Sequence, residues 1–110
     1  MSTRAIIRFC TGNEEVGALL LFADGYPNFV RDRLLIKLND ERWADAEEAM
    51  EAVPNILAAE YNYDIFDSEK DLERWSNSFK EFESEEDAIK YCGSAARNYT
   101  VHVVDGICYF

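Results

Sequence analysis

Carboxylates dominate the chemistry-bearing side chains of this chain, and their spacing narrows what they can do. Asp45, Glu48 and Glu51 recur every three residues. Asp64, Asp67, Glu69, Asp71 and Glu73 form a second run, and Glu83, Glu85, Glu86 and Asp87 a third. On a helix, side chains three or four positions apart lie about 5–6 Å from one another. A row of carboxylates on that scale resembles a row of phosphates, which is what the Lys/Arg grooves of nucleic-acid-binding proteins are built to hold. Charged helix faces also serve simple solvation, yet crowding one sign of charge destabilises a compact state.

Other chemistries fit less well. Asp67, Glu69 and Asp71 occupy alternate positions, as the first ligands of a calcium loop would. Leu72 then stands where the loop needs Gly, and Ser78 where it needs Glu, so a helix N-terminus explains these acids better. His102 and Cys108 could form a nucleophilic dyad on one hairpin, but no third group orients the pair and no oxyanion site is evident. The cysteines Cys10, Cys92 and Cys108 lack ligand-pair spacing, and no Gly-rich loop could cradle a phosphate. We therefore expect no cofactor, no metal and no catalysis. Tyr26, in Asp24-Gly25-Tyr26-Pro27, could anchor a partner. The alternative for this stretch is turn chemistry, with Gly25 supplying a positive φ and Pro27 fixing φ before a helix.

The charge balance sharpens the partner reading. Twenty-two acids against eleven bases give a net charge of −11 over 110 residues, and residues 39–90 alone carry −12. Such a field repels nucleic acid and anionic membranes and attracts basic proteins. Length and a 48% apolar composition point to one domain, residues 1–110, with one core. No apolar run is long enough to span a bilayer. An odd number of cysteines and a start without a signal-peptide pattern lead us to expect a cytoplasmic location.

Elements must position these residues. Ala5, Ile7 and Phe9 alternate with Arg4, Ile6 and Arg8. After the turn Thr11-Gly12-Asn13, Val16, Ala18, Leu20 and Phe22 alternate again, which predicts an N-terminal hairpin. A helix capped by Asn28 or started near Pro27 would bury Val30, Leu34 and Leu38. Asn39 and Asp40 would cap a second helix that ends before Pro54 and buries Trp43, Ala46, Met50 and Val53. Residues 54–66 read either as a short helix or as a strand. Ser68 and then Ser84 offer capping signals for two more helices, the first carrying Leu72, Trp75, Phe79 and Phe82 on one face and the second Ile89, Cys92 and Ala96. Tyr99 to Phe110, broken by Asp105-Gly106, predicts a C-terminal hairpin. The expected fold class is α+β, an antiparallel sheet made from the two terminal hairpins with three to four helices on it.

Met1-Ser2-Thr3-Arg4-Ala5-Ile6-Ile7, Asp24-Gly25-Tyr26-Pro27 and the Tyr99–Phe110 hairpin together resemble a group of short phage and bacterial proteins. These share a Ser-Thr-Arg first strand, an Asp-Gly-Tyr-Pro turn and a terminal hairpin. The resemblance covers about a third of the chain. It implies a mobile-element setting, in which small acidic proteins inhibit host machinery such as CRISPR effectors, some by imitating nucleic acid. On this reading the chain is an anti-CRISPR-like inhibitor. Its partner is a basic nucleic-acid-handling defence effector in the host cell, and it binds neither nucleic acid nor membrane directly. The alternative is a structural or regulatory interaction domain, homodimeric in one version, that uses an apolar patch such as Ile6, Leu19 and Leu21.

Overall fold

The computed structural model describes residues 3–22, 25–60, 79–93 and 96–110, with only the backbone for 57–60. The expected elements at 61–78, with the capping signal at Ser68 and the helical face of Leu72 and Trp75, lie outside the described residues. Strands β1 (Ala5–Thr11) and β2 (Glu14–Leu21) form the expected hairpin, closed by Gly12 at a φ of 61°. Strands β3 (Phe79–Phe82), β4 (Arg97–Val104) and β5 (Ile107–Tyr109) complete one sheet, in the order β3-β2-β1-β4-β5. The C-terminal hairpin turns as expected on Asp105 and Gly106, at φ values of 52° and 82°. Two consecutive positive φ values match the right-handed twist of the flanking strands.

The sheet is mixed, not antiparallel throughout. β1 pairs with β2 antiparallel, but with β4 parallel, Ala5 lying opposite Arg97 and Thr11 opposite Val103. Helix α3 (Glu85–Cys92) follows the edge strand β3 and packs on β2 and β1. The chain thus crosses the sheet before β4 begins, and a strand delivered by a crossover enters parallel to its predecessor rather than as a hairpin partner.

Helices cover both faces of the sheet. On one side lie α1 (residues 27–38) and α2 (Ala46–Glu60). Their Phe29, Val30, Leu34, Leu38, Ala46, Ala49, Met50 and Val53 close over Ala5, Ile7, Phe9, Leu19, Leu21, Val101, Val103 and Cys108. On the other side, α3 sets Ala88 against Ile6, Ala18 and Leu20. The proposed patch of Ile6, Leu19 and Leu21 is therefore not a surface. Ile6 faces α3, Leu19 and Leu21 face α1 and α2, and none is more than 2% exposed. The apolar run from Ala18 to Phe22 belongs to a strand covered on both faces. A register shift opposite Phe9 and Cys10 also moves Val16 off the face of Ala18 and Leu20, so that it packs on the α1 and α2 side.

The helices depart from expectation at their ends. α1 takes the second of its two expected starts, Pro27, and Tyr26 rather than Asn28 holds the N-cap position. The central six residues, Val30–Leu35, are wound as a π-helix, and Val30, Leu34 and Leu38 remain buried as their spacing predicts. Asn39 caps nothing ahead of it. Its carboxamide instead meets both main-chain polar atoms of Cys108, donating to the carbonyl at 3.0 Å and accepting from the N–H at 2.9 Å. That contact closes the edge of β5, a site otherwise open to unwanted strand pairing. Residues 39–45 descend to the hairpin turns, and α2 begins only at Ala46. It then runs through Pro54 to Glu60 instead of stopping, because the apolar face of Ala46, Ala49, Met50 and Val53 outweighs one missing N–H donor. Phe79 and Phe82 belong to a strand, not a helix. Their three-residue spacing would put them on one side of a helix but puts them on opposite sides of β3, where Phe79 serves one core and Phe82 the other.

Candidate partner-binding surface

Helices α2 and α3 pack on opposite faces of the sheet, yet both begin at the same end of it. The N–H of Ala46, the first residue of α2, donates to Thr11 Oγ1 at 3.0 Å. The N–H of Glu85, the first residue of α3, donates to Glu15 Oε1 at 2.7 Å. Thr11 and Glu15 flank the β1–β2 turn, and neighbouring positions of a strand project to opposite faces. One hairpin therefore holds one helix start on each side. The second turn lies beside it, since Gly12 N–H donates to the Val103 carbonyl at 3.0 Å.

This arrangement gathers acids that are far apart in sequence. Asp45, Glu47 and Glu48 stand at the start of α2, and Glu83, Glu85, Glu86 and Asp87 at the start of α3. Glu14 and Glu15 lie on the hairpin between them, and Asp105 on the adjacent turn. The local fold explains part of the pattern. Asp45 Oδ1 accepts from the Glu48 N–H at 2.9 Å, and Ser84 Oγ accepts from the Asp87 N–H at 3.2 Å, so α3 is capped where its sequence predicts, whereas the cap of α2 falls at Asp45 rather than at Asn39 or Asp40. Unpaired N–H groups at a helix start favour negative charge. Glu15 also pairs with the Arg8 guanidinium at 3.5 Å. Glu47, Glu48, Glu86 and Asp87 are exposed, Glu86 within a surface ion pair to Lys90 Nζ at 3.4 Å.

The expected site residues thus divide into three groups. Asp45 and Glu48 join Glu83, Glu85, Glu86 and Asp87 at the hairpin end, and Glu51 stands exposed one turn further along α2. Tyr26 is not brought to them. Half exposed under the Arg97 guanidinium, 5.5 Å from its ring centre, it stands at the opposite end, beside the start of β1. Asp64, Asp67, Glu69, Asp71 and Glu73 lie outside the described residues. Sequence reasoning missed Glu14, Glu15, Glu47 and Asp105. For Glu14, Glu15 and Asp105 the available signal was their position in or beside the two predicted hairpin turns, which a count of charge per segment does not register; Glu47 stands beside Glu48 in the predicted second helix.

The alternative chemistries find no assembled centre. Cys108 points into the α1 and α2 core, whereas His102, which pairs with Tyr109 across the hairpin, projects to the other face. The sheet therefore separates the two. His102 Nδ1 sits 2.6 Å from the Gly12 carbonyl, which can only accept, so this nitrogen carries the proton. Cys10 is the cross-strand neighbour of His102, but burial pushes its thiol pKa up, reinforced by Glu15 and Glu85 and opposed by Arg8. Burial raises Cys108 as well, and a thiol held in its neutral form is a poor nucleophile. Among the described residues no group of three His, Cys, Asp or Glu side chains is arranged to hold a metal ion, and no helix is long and apolar enough to cross a membrane.

The chain matches no family model, and neither a curated protein nor a solved structure was found to be similar to it.

Proposed function

We propose that this protein acts stoichiometrically by binding, presenting its acidic hairpin end to a basic groove on a nucleic-acid-handling partner. A host defence effector blocked in the manner of an anti-CRISPR inhibitor is the leading form of this reading. The observation that supports it best is the anchoring of two helix starts, from opposite faces of the sheet, on one hairpin. An end studded with carboxylates at helical spacing can enter a groove shaped for phosphates, where each displaced counterion adds to affinity at low salt.

The test is capture of partners by tagged protein from host lysate, with elution by a salt gradient. Release of a nucleic-acid-handling protein at moderate salt, together with its loss from Glu48→Lys/Glu51→Lys and Glu85→Lys/Glu86→Lys variants, would support the reading. Retention of the same partner by both variants at low salt would exclude it. A second reading, a regulatory or self-associating domain, draws on a different observation. Beyond α3, the sheet exposes Val104 and Tyr109, 44% and 50% accessible. That reading calls for association almost independent of salt, measurable by light scattering across a salt series.

A further inference from the structure

We propose that the cleft between the end of α1 and the middle of α2 binds an organic cation on an apolar stem. Arginine and lysine side chains share that chemistry with free alkylguanidines and alkylamines. The site is separate from the acidic hairpin end and does not depend on its role. The cleft measures about 530 Å³ and is lined by Lys37, Asp40, Glu41, Trp43, Asn55 and Ile56, with Ala52 beside them. This lies within the span of roughly 300–1,000 Å³ common to small-ligand sites.

Three features select a cation. The first is Trp43. Its indole N–H donates to the Leu38 carbonyl at 2.8 Å, and its main-chain N–H donates to Gly106 at 3.3 Å. With its polar atom engaged, Trp43 offers the cleft only ring surface, held in place before a ligand arrives. An indole ring is the strongest aromatic attractor of cations. The second is the end of α1, whose last turn is closed by the N–H groups of Asn39, Asp40 and Glu41 on the carbonyls of Leu35, Lys37 and Leu38. The carbonyl end of a helix carries partial negative charge. The third is the rim, where Asp40 and Glu41 are exposed and make no ion pair with any described residue, against a single cation, Lys37. Ile56 and Ala52 supply the apolar wall along which a methylene stem can lie while its charged head stays at the wet rim. An anion would meet the wrong charge here, and a neutral apolar ligand would leave the two carboxylates unused.

The experiment is a titration of ¹⁵N-labelled protein with N-acetylarginine methylamide and with its neutral citrulline counterpart. It follows the Trp43 indole N–H signal, assigned through Trp43→Phe. The arginine compound should give saturable shifts and bind at least about fivefold more tightly than the citrulline compound, the ratio expected from one exposed cation contact. Asp40→Asn/Glu41→Gln should weaken it by a similar factor, while Lys37→Gln should tighten it by removing the competing charge. All three positions are exposed, so the fold is kept, and a dispersed amide spectrum checks this. Equal binding of the citrulline compound would overturn the proposal. So would unchanged affinity in Asp40→Asn/Glu41→Gln, or weaker binding in Lys37→Gln. Comparison of agmatine with a Gly-Arg-Gly peptide capped at both ends then assigns the source. A preference for the peptide means a partner's side chain, a preference for agmatine means a free cation, and binding of neither removes the site.

Discussion

Gly25 shows how a residue can be identified correctly for the wrong reason. The turn reading expects it to supply a positive φ, but its φ is not among the positive ones. The constraint is proximity. A Cβ at this position would come within 2.7 Å of Arg4 main-chain atoms and 2.8 Å of the Thr3 carbonyl, to which the Gly25 N–H donates. Backbone cannot swing aside as a long side chain can, so Gly25→Ala should lose about 2 kcal/mol or more in denaturant melts. Asp45 separates structure from charge. Asn caps a helix as well as Asp does. Asp45→Asn should therefore keep stability and lower affinity for a basic partner, whereas Asp45→Ala should also lose about 1 kcal/mol in the same melts. The cysteines respond to pH. Folding raises the thiol pKa values of Cys10 and Cys108, so the folded chain holds those protons more tightly than the unfolded one. Their contribution is complete below the unfolded thiol value of about 8.5 and is lost as pH rises through the folded values. Melts on that account should show stability declining as pH rises above about 8.5. In native protein a thiol reagent should label the half-buried Cys92 first, with Cys10 and Cys108 reacting only after unfolding.

At the scale of elements, α3 is the most weakly held of the described helices. It buries only Ala88 completely, while α2 buries Ala46, Ala49, Met50 and Val53. Its start depends on a carboxylate from another element, Glu15, which accepts from Glu85 N–H at 2.7 Å. Hydrogen bonds to a charged acceptor are worth more than neutral ones, so Glu15→Ala should cost about 1.5–3 kcal/mol locally. Amide exchange should localise the effect. The amides of 85–92 should speed up while those of β1 keep their protection, because helices with few buried contacts open without global unfolding. Equal acceleration in both elements would mean that α3 and the sheet unfold as one unit.

The whole molecule carries its −11 charge with much of it turned toward one end, so self-repulsion opposes folding there. Salt screens this repulsion over a Debye length of about 10 Å at 0.1 M. Thermal unfolding should therefore rise with sodium chloride between low and moderate concentration. A gain of about 1 kcal/mol corresponds to roughly 4–8 °C in Tm for a domain of this size. Binding to a basic partner should move the other way and weaken with salt. Opposite salt responses of stability and affinity from one set of carboxylates are the signature expected of the proposed surface.

The sequence by itself determined the features that depend on neighbours along the chain. Alternation in Ala5–Phe9, the turn at Gly12, the positive-φ pair Asp105-Gly106, the buried ridge Val30, Leu34 and Leu38, and the Ser84 cap all follow from local periodicity and turn chemistry. Tertiary structure decided what depends on partners distant in sequence. It carried α2 through Pro54, because packing on the sheet outweighs a single lost donor. It made Phe79–Phe82 a strand, because the free edge of β2 needed a partner and two cores needed one phenylalanine each. It set β4 parallel to β1, because α3 crosses the sheet first. It also brought the acids of α2 and α3 to one hairpin end through Thr11 and Glu15, and no periodicity records that juxtaposition, because it arises only when two helices on opposite faces share one turn.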